Sequence, residues 1–359
     1  MIDTHSHNDE EEGKKSQNHE TEKIYAFLMA LLLSALFTVA LLYTVWEFPR
    51  RINLFLRPSF PDPGHIWHMP AEDWLRLQSI GYICFGVTVI LILVGYLIKC
   101  SKLTISGSVA FYLPVFGHFA GSMFFFAGIG IFRVIWMPFF DISILSVNPL
   151  TLGDIVLLPY NVLIVLIADF VSLFYNQMSP EIYRMLTFDL KYEVLTPIIL
   201  ILGIAIFVFS TMSWLYGKFL GEEILHMWIY KYSRHPQYLG LLLWSYGLLT
   251  RVGSFPYARG GYVPPPTFPW LIFACLVIGI ALQEELKLLD EFPDEYRDYC
   301  QQTAFLLPLP KLITTSITRM NSLLIRKARP EQSKDIIFIL GVYFSILTLL
   351  SFFLLQLSQ

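Results

Sequence analysis

Charge is what this 359-residue sequence has least of: Asp, Glu, Lys and Arg make up 15% of it, against about 25% in an ordinary soluble chain. That shortage excludes a water-solvated globular surface. Cysteine is scarce too. Cys84, Cys100, Cys275 and Cys300 form no C-x-x-C pair, which argues against both a zinc site and a disulfide framework. Cys84 and Cys275 lie in apolar runs, as small core hydrophobes. No internal repeat is evident, and no Lys/Arg-rich stretch with interleaved aromatics marks a nucleic-acid groove. Gly128-x-Gly130 lies inside an apolar run with no strand before it, so a glycine fingerprint for dinucleotides is lacking.

Apolar residues are abundant: 55% of the chain is hydrophobic, with 30 Phe and 19 Tyr. Several runs reach the ~20 residues needed to cross a bilayer. The sequence predicts an all-α fold, a polytopic integral membrane helix bundle of about eight spans. These are expected near 24–46, 77–98, 109–132, 155–175, 194–216, 237–250, 270–282 and 336–355. The sixth and seventh are short and are joined by a Gly/Pro-rich link, so they read as a helical hairpin. Residues 1–23 form an acidic tail, with Glu10 to Glu12 in a row, and are expected to be disordered. His5, His7 and His19 in that tail have no ligand cage around them, and no metal site is expected.

Residues 24–193 are expected to form an N-terminal bundle, 194–310 the functional membrane domain, and 311–359 a basic juxtamembrane segment with the last span. His118 lies between closely spaced glycines and reads as a helix–helix hydrogen bonder. Asp169 lies near the end of its span, where it reaches interfacial water. The segment 176–193 reads as a polar loop. Residues 311–334 carry Lys311, Arg319, Arg326, Lys327, Arg329 and Lys334 and suit an anionic leaflet surface.

Two polar islands interrupt the apolar pattern. The first packs Lys231, Arg234, His235 and Pro236 into a few residues before the sixth span. The second follows the seventh span: Gln283, Glu284, Glu285, then Glu291, Asp294, Glu295, Tyr296 and Tyr299. Charge near a bilayer is costly and tends to be functional. Separated by a hairpin, the islands fall on one membrane face and can close on each other. Lys and Arg are more frequent in loops on that side, which makes it cytosolic by the positive-inside rule. An even number of spans then places both chain ends on the opposite side.

The run Tyr230-x-x-x-Arg234-His235-Pro236-x-Tyr238-x-Gly240, with Trp244-Ser245 and Gly247 after it, resembles the central motif of the isoprenylcysteine carboxyl methyltransferases. Glu284-Glu285, Leu288, Phe292, Glu295-Tyr296, Tyr299 and Pro308 follow at that family's spacing. The resemblance covers about residues 215–310. It implies an S-adenosylmethionine-dependent methyltransferase whose cofactor pocket is built from C-terminal membrane helices rather than a Rossmann domain. It implies cofactor contacts from His235, Tyr238, Gly240 and Glu284, and adds Tyr230, Arg234, Pro236 and Tyr296 to that pocket. Glu285 would stand at the boundary between cofactor and acceptor as a catalytic residue. The resemblance further implies a lipid-tailed substrate, a prenylated cysteine at a protein C-terminus, methylated on its carboxylate.

The sequence departs from the family at four places, one of them Gln301-Gln302, where basic residues are common. Trp228 stands where glycine is usual, Ile280 where arginine is frequent, and Pro293 where glycine is common. Arg251 is the expected substitute for the arginine that would orient a substrate carboxylate. Other readings of the same residues are N-methylation of a lipid amine such as phosphatidylethanolamine, a membrane reductase, and a non-catalytic scaffold.

Overall fold

The computed structural model describes residues 20–40, 71–98, 151–175, 178–251, 267–327 and 329–357. Among them every extended element is helical, and the one β feature is an isolated bridge between Ser233 and Ala304. The helices are α1 (Glu20–Ala40), α2 (Ala71–Leu97), α3 (Leu158–Ser172), α4 (Pro180–Asp189) and α5 (Thr196–Phe219). They continue with α6 (Pro236–Arg251), α7 (Thr267–Glu291), α8 (Pro293–Gln302), α9 (Lys311–Ile325) and α10 (Ser333–Leu357). Among the described residues four helical segments are long and apolar enough to cross a membrane: 20–40, 154–172, 180–219 and 333–357. They mark a membrane protein. The expected span at 109–132, with His118, lies outside the described residues, as do residues 1–19 with their histidines.

The centre of the molecule is the antiparallel pair α5–α6. Their backbones touch where glycines leave room: a Cβ on Gly203 would lie 2.4 Å from the Trp244 nitrogen, and one on Gly240 would lie 2.6 Å from the Phe207 nitrogen. Small residues permit such approach where lipid offers no competing solvent. Helix α7 runs antiparallel to α6 and is tied to it by Trp270, whose ring nitrogen donates to Ser245 Oγ at 3.1 Å. Its 25 residues give about 37 Å of helix. The seventh expected span is therefore longer than its apolar run, because the helix continues through Glu284 and Glu285 into polar surroundings. Pro293 lacks the N–H needed to prolong it and instead opens α8.

Three expectations are corrected. Segment 176–193 is largely helical, not a loop: Ser179 caps α4 by accepting from the Ile182 nitrogen at 3.3 Å, with Pro180 in the first turn. Helix α4 passes into α5 through a π turn at Leu190–Leu195. Pro197 explains that turn, since its ring would clash with the carbonyl four residues earlier in a regular helix. Glu20–Lys23 belong to α1 rather than to a disordered tail.

The third correction concerns topology. Helix α1 runs antiparallel to α5, with Ser34 Oγ donating to the Val208 carbonyl at 2.7 Å. Phe27, near the start of α1, packs on Tyr216 and Trp228. The start of α1 therefore lies at the island end of α5, not at the opposite end. A count of apolar runs misses this because it takes each run as one full crossing.

Candidate functional site

The stretch from Gly221 to His235 is irregular and folds back over the island end of α5 and α6. Trp228 opens its short helical turn with φ 48°, a left-handed conformation that favours glycine. Here the indole takes the strain, of order 1–2 kcal/mol, because it stacks on Tyr216 at 4.9 Å and on Phe209 at 6.0 Å. Trp228 thus holds a backbone turn that favours glycine through aromatic packing.

The two islands meet. The Arg234 nitrogen donates to the Ala304 carbonyl at 2.9 Å and the His235 nitrogen to the Phe305 carbonyl at 3.2 Å. The Arg234 side chain forks onto Glu285, Nε to Oε1 at 2.6 Å and Nη2 to Oε2 at 3.3 Å. Its Nη1 donates to the carbonyls of Cys300 and Thr303 at 2.9 and 2.8 Å. His235 Nε2 lies 3.2 Å from the same Glu285 Oε1. Burial pushes the Glu285 carboxyl up, but the His235 hydrogen bond and the Arg234 charge outweigh it, so it ionises below the usual carboxylate range. Burial disfavours the Arg234 cation, and Glu285 more than offsets that.

A second carboxylate sits beside this cluster in a different state. Glu284 is 47% exposed at its side chain, where Glu285 is 12% exposed. Glu284 Oε1 accepts from the Tyr238 hydroxyl at 2.6 Å, and its Oε2 lies 3.8 Å from His235 Nδ1. Behind it, Ile224, Tyr296, Tyr299 and Cys300 form an apolar wall with Leu288, Leu289 and Phe292. The Tyr299 hydroxyl donates to the Tyr230 carbonyl at 2.6 Å, tying α8 to the irregular stretch. Burial pushes the Tyr230, Tyr296 and Tyr299 phenols up, so they remain protonated donors at neutral pH.

These groups border a cavity of about 440 Å³ between α5, the irregular stretch, α6, α7 and α8. Of the residues singled out in the sequence, Tyr230, Arg234, His235, Tyr238, Glu284 and Tyr296 line it, as do Leu288, Glu291 and Tyr299 of the second island. Sequence reasoning did not single out Trp214, Lys218, Glu223, Gln237 or Lys287, which line it as well. Trp214 and Lys218 are one helical turn apart on α5, a spacing that places them on one face. That spacing was readable, but its direction was not.

Four residues singled out stand elsewhere. Gly240 faces the α5 backbone, and Pro236 starts α6 as a buried helix-opening residue. Glu285 lies behind the cavity wall in the Arg234 fork. Arg251 is at the other end of α6, about 22 Å along the helix. There it donates to the Tyr192 carbonyl and lies 3.6 Å from Glu193 Oε1. That carbonyl is in the π turn, and the Tyr160 hydroxyl caps the neighbouring Lys191 carbonyl at 2.5 Å. Arg251 therefore satisfies backbone released by the π turn and stands away from the cavity, contrary to the acceptor-orienting place expected for it; Ile280 is buried on α7. Asp169 is likewise engaged locally, accepting from the Tyr183 hydroxyl at 2.7 Å. Among the described residues no cluster of His, Cys, Asp and Glu suits a metal ion. No protein-family model matches the chain, and no curated protein or solved structure matches it either.

Proposed function

We propose that this protein is an S-adenosylmethionine-dependent methyltransferase working at the cytosolic membrane face. In this reading it methylates the carboxylate of a lipid-tailed acceptor, a prenylated cysteine at a protein C-terminus. The observation that carries the reading is the cavity itself: residues from both sequence islands line it, and it ends in an exposed carboxylate, Glu284, held by Tyr238. Its volume, about 440 Å³, falls in the range of ~300–1,000 Å³ usual for small-molecule sites. Phenol rings for an adenine and a carboxylate for ribose hydroxyls or an ammonium are the donor set that such a cofactor needs. Tyr230, Tyr238, Glu284 and Tyr296 would hold it.

The cofactor supplies an electrophilic methyl group, which passes from sulfonium to a carboxylate oxygen and leaves a thioether and a methyl ester. The chain's own contribution is alignment and exclusion of water. Arg234, His235 and Glu285 fix the turn that presents Tyr238. Lys218 and Lys287 line the cavity and make no ion pair among the described residues, whereas Arg234 directs its donors to Glu285 and backbone carbonyls. These lysines take over the orientation of the acceptor carboxylate. The state of Glu285 favours a carboxylate over an amine acceptor. An amine must lose a proton to a base, and Glu285 is buried and already engaged by the Arg234 fork and the His235 ring.

The test uses the purified chain in nanodiscs with methyl-labelled cofactor, offered S-farnesylcysteine or phosphatidylethanolamine. Base-labile label in the first is the expected result. Stable label in the lipid would replace this reading with N-methylation, and absence of any cofactor binding would remove both.

A further inference from the structure

Helix α9 is the one long helix whose described surroundings leave it nearly bare. None of its residues is buried, and residues 311–320 are all exposed. Leu312 is 80% and Leu323 74% exposed. Its 15 residues reach about 22 Å. The apolar side chains Ile313, Ile317, Met320 and Leu324 recur at i, i+4, i+7 and i+11, which puts them on one stripe. The opposite side carries Lys311, Thr314, Thr315, Thr318 and Ser322, with Arg319 at the border.

The joint with α10 holds this arm in a defined direction. Arg326 turns the chain with φ 56°, and Lys327 is locked between Glu331 at 2.7 Å and Asp335 at 3.4 Å. Asp335 also accepts from the Glu331 and Gln332 nitrogens at 3.1 and 3.2 Å, capping α10. Beyond the joint, Tyr343 donates to Asn321 Oδ1 at 3.0 Å. Helix α10 is long and apolar enough to cross the bilayer, so the joint at its start sits at a membrane face. Arg329, in the joint, lies beside the Cys300 thiol of α8 and its charge opposes the upward push of burial on that thiol. The arm and the cavity therefore share one face.

We infer that α9 is an in-plane anchor that sinks its Ile313–Ile317–Met320 stripe into the acyl boundary and binds anionic lipid headgroups. The charge argues for the anion: segment 311–334 holds six basic residues against the single acid Glu331. Among the described residues Lys311, Arg319 and Arg326 make no ion pair, which leaves them for phosphate and carboxylate headgroups. An amphipathic helix with a basic polar side and a bare apolar side lies in the interface rather than in water. This inference does not depend on the methyltransferase reading.

The experiment places nitroxide labels in the full-length chain, freed of its four native cysteines, in phosphatidylcholine nanodiscs with and without phosphatidylserine. With Ile317→Cys the label should collide with oxygen, and with Thr315→Cys with a water-soluble nickel chelate. Spin-labelled phosphatidylserine should be restrained in preference to phosphatidylcholine. The triple variant Lys311→Gln/Arg319→Gln/Arg326→Gln should reduce that preference at least ~5-fold. Nickel access to both labels would put the arm in water and overturn the inference. A label at Ile317 shielded from both reagents would mean a protein partner covers the stripe, and overturns it equally. An unchanged lipid preference in the triple variant would overturn the anionic-lipid assignment.

Discussion

At the Pro236 end of α6, Arg234, His235, Glu284 and Glu285 converge from two sequence islands and border a cavity. At the Arg251 end the polar groups are of another kind. The Tyr160 hydroxyl meets Thr196 Oγ1 at 2.8 Å, which meets Thr250 Oγ1 at 3.1 Å, and Thr267 donates to Asp154 at 2.6 Å. Tyr246 donates to the Val156 carbonyl at 2.8 Å. Hydroxyls there close on one another, on Asp154 and on the backbone freed by the π turn, and Arg251 turns to the Tyr192 carbonyl and Glu193. The far end consumes its polar capacity in holding helices together. The island end keeps carboxylates, Glu223, Glu284 and Glu291, and two lysines, Lys218 and Lys287, along the cavity. Both ends look alike in a sequence, as polar residues beside apolar runs, and the difference lies in what remains unmatched after folding.

The largest effect that would sharpen this contrast is removal of Glu285. Glu285→Ala leaves Arg234 buried without its partner and should cost about 3–5 kcal/mol, read as a lower thermal midpoint in nanodiscs. The same pair predicts the acid limb of stability. Because the folded-state pKa of Glu285 is lowered, its contribution is complete above the unfolded value of about 4.3. It is lost as pH falls through the lower folded value. An acid transition unchanged in Glu285→Gln would show that the cluster contributes nothing to it.

Gly240→Ala should follow, at about 1–3 kcal/mol, since the added methyl meets the α5 backbone at 2.6 Å. It should loosen both ends alike, which a helix-interior propensity gain would not do. Thr250→Val at the far end should cost about 1 kcal/mol and leave cofactor affinity unchanged. A large drop in cofactor affinity would merge the two ends into one functional unit and break the comparison. Glu284→Gln should change stability least, within about 0.5 kcal/mol. Its effect should appear in binding instead, as a cofactor affinity at least ~10-fold weaker by calorimetry.

The helical membrane class was legible from composition alone, because a chain so poor in charge and so long in apolar runs has few other ways to satisfy its backbone. The meeting of the islands was also legible: Arg234 and Glu285 are about fifty residues apart, yet the antiparallel helices α6 and α7 bring them together. Which carboxylate faces the cavity was not. Glu284 and Glu285 are adjacent and chemically equal, and one helical step of 100° sends the first toward Tyr238 and the second into the Arg234 fork. Arg251 was misplaced for a related reason, since helix length carries a residue to the other end of α6 whatever its charge suggests. The path of α4 into α5 depended on Pro197, whose lost hydrogen bond widens one turn without ending the helix.

The bridge between Ser233 and Ala304 also sets a clock. The chain that completes the site is made some seventy residues after Arg234, which at ~5–20 residues per second is roughly 4–14 s of synthesis. For the first fifty or so residues of that interval Arg234 has no Glu285 to receive it, and for all of it the 304–305 backbone is still to be made. A nascent chain paused between the islands would display a cation at the membrane surface, open to lipid phosphate or to a chaperone. Maturation of the site is thus a late event, timed by the second island's emergence rather than by insertion of the first helices.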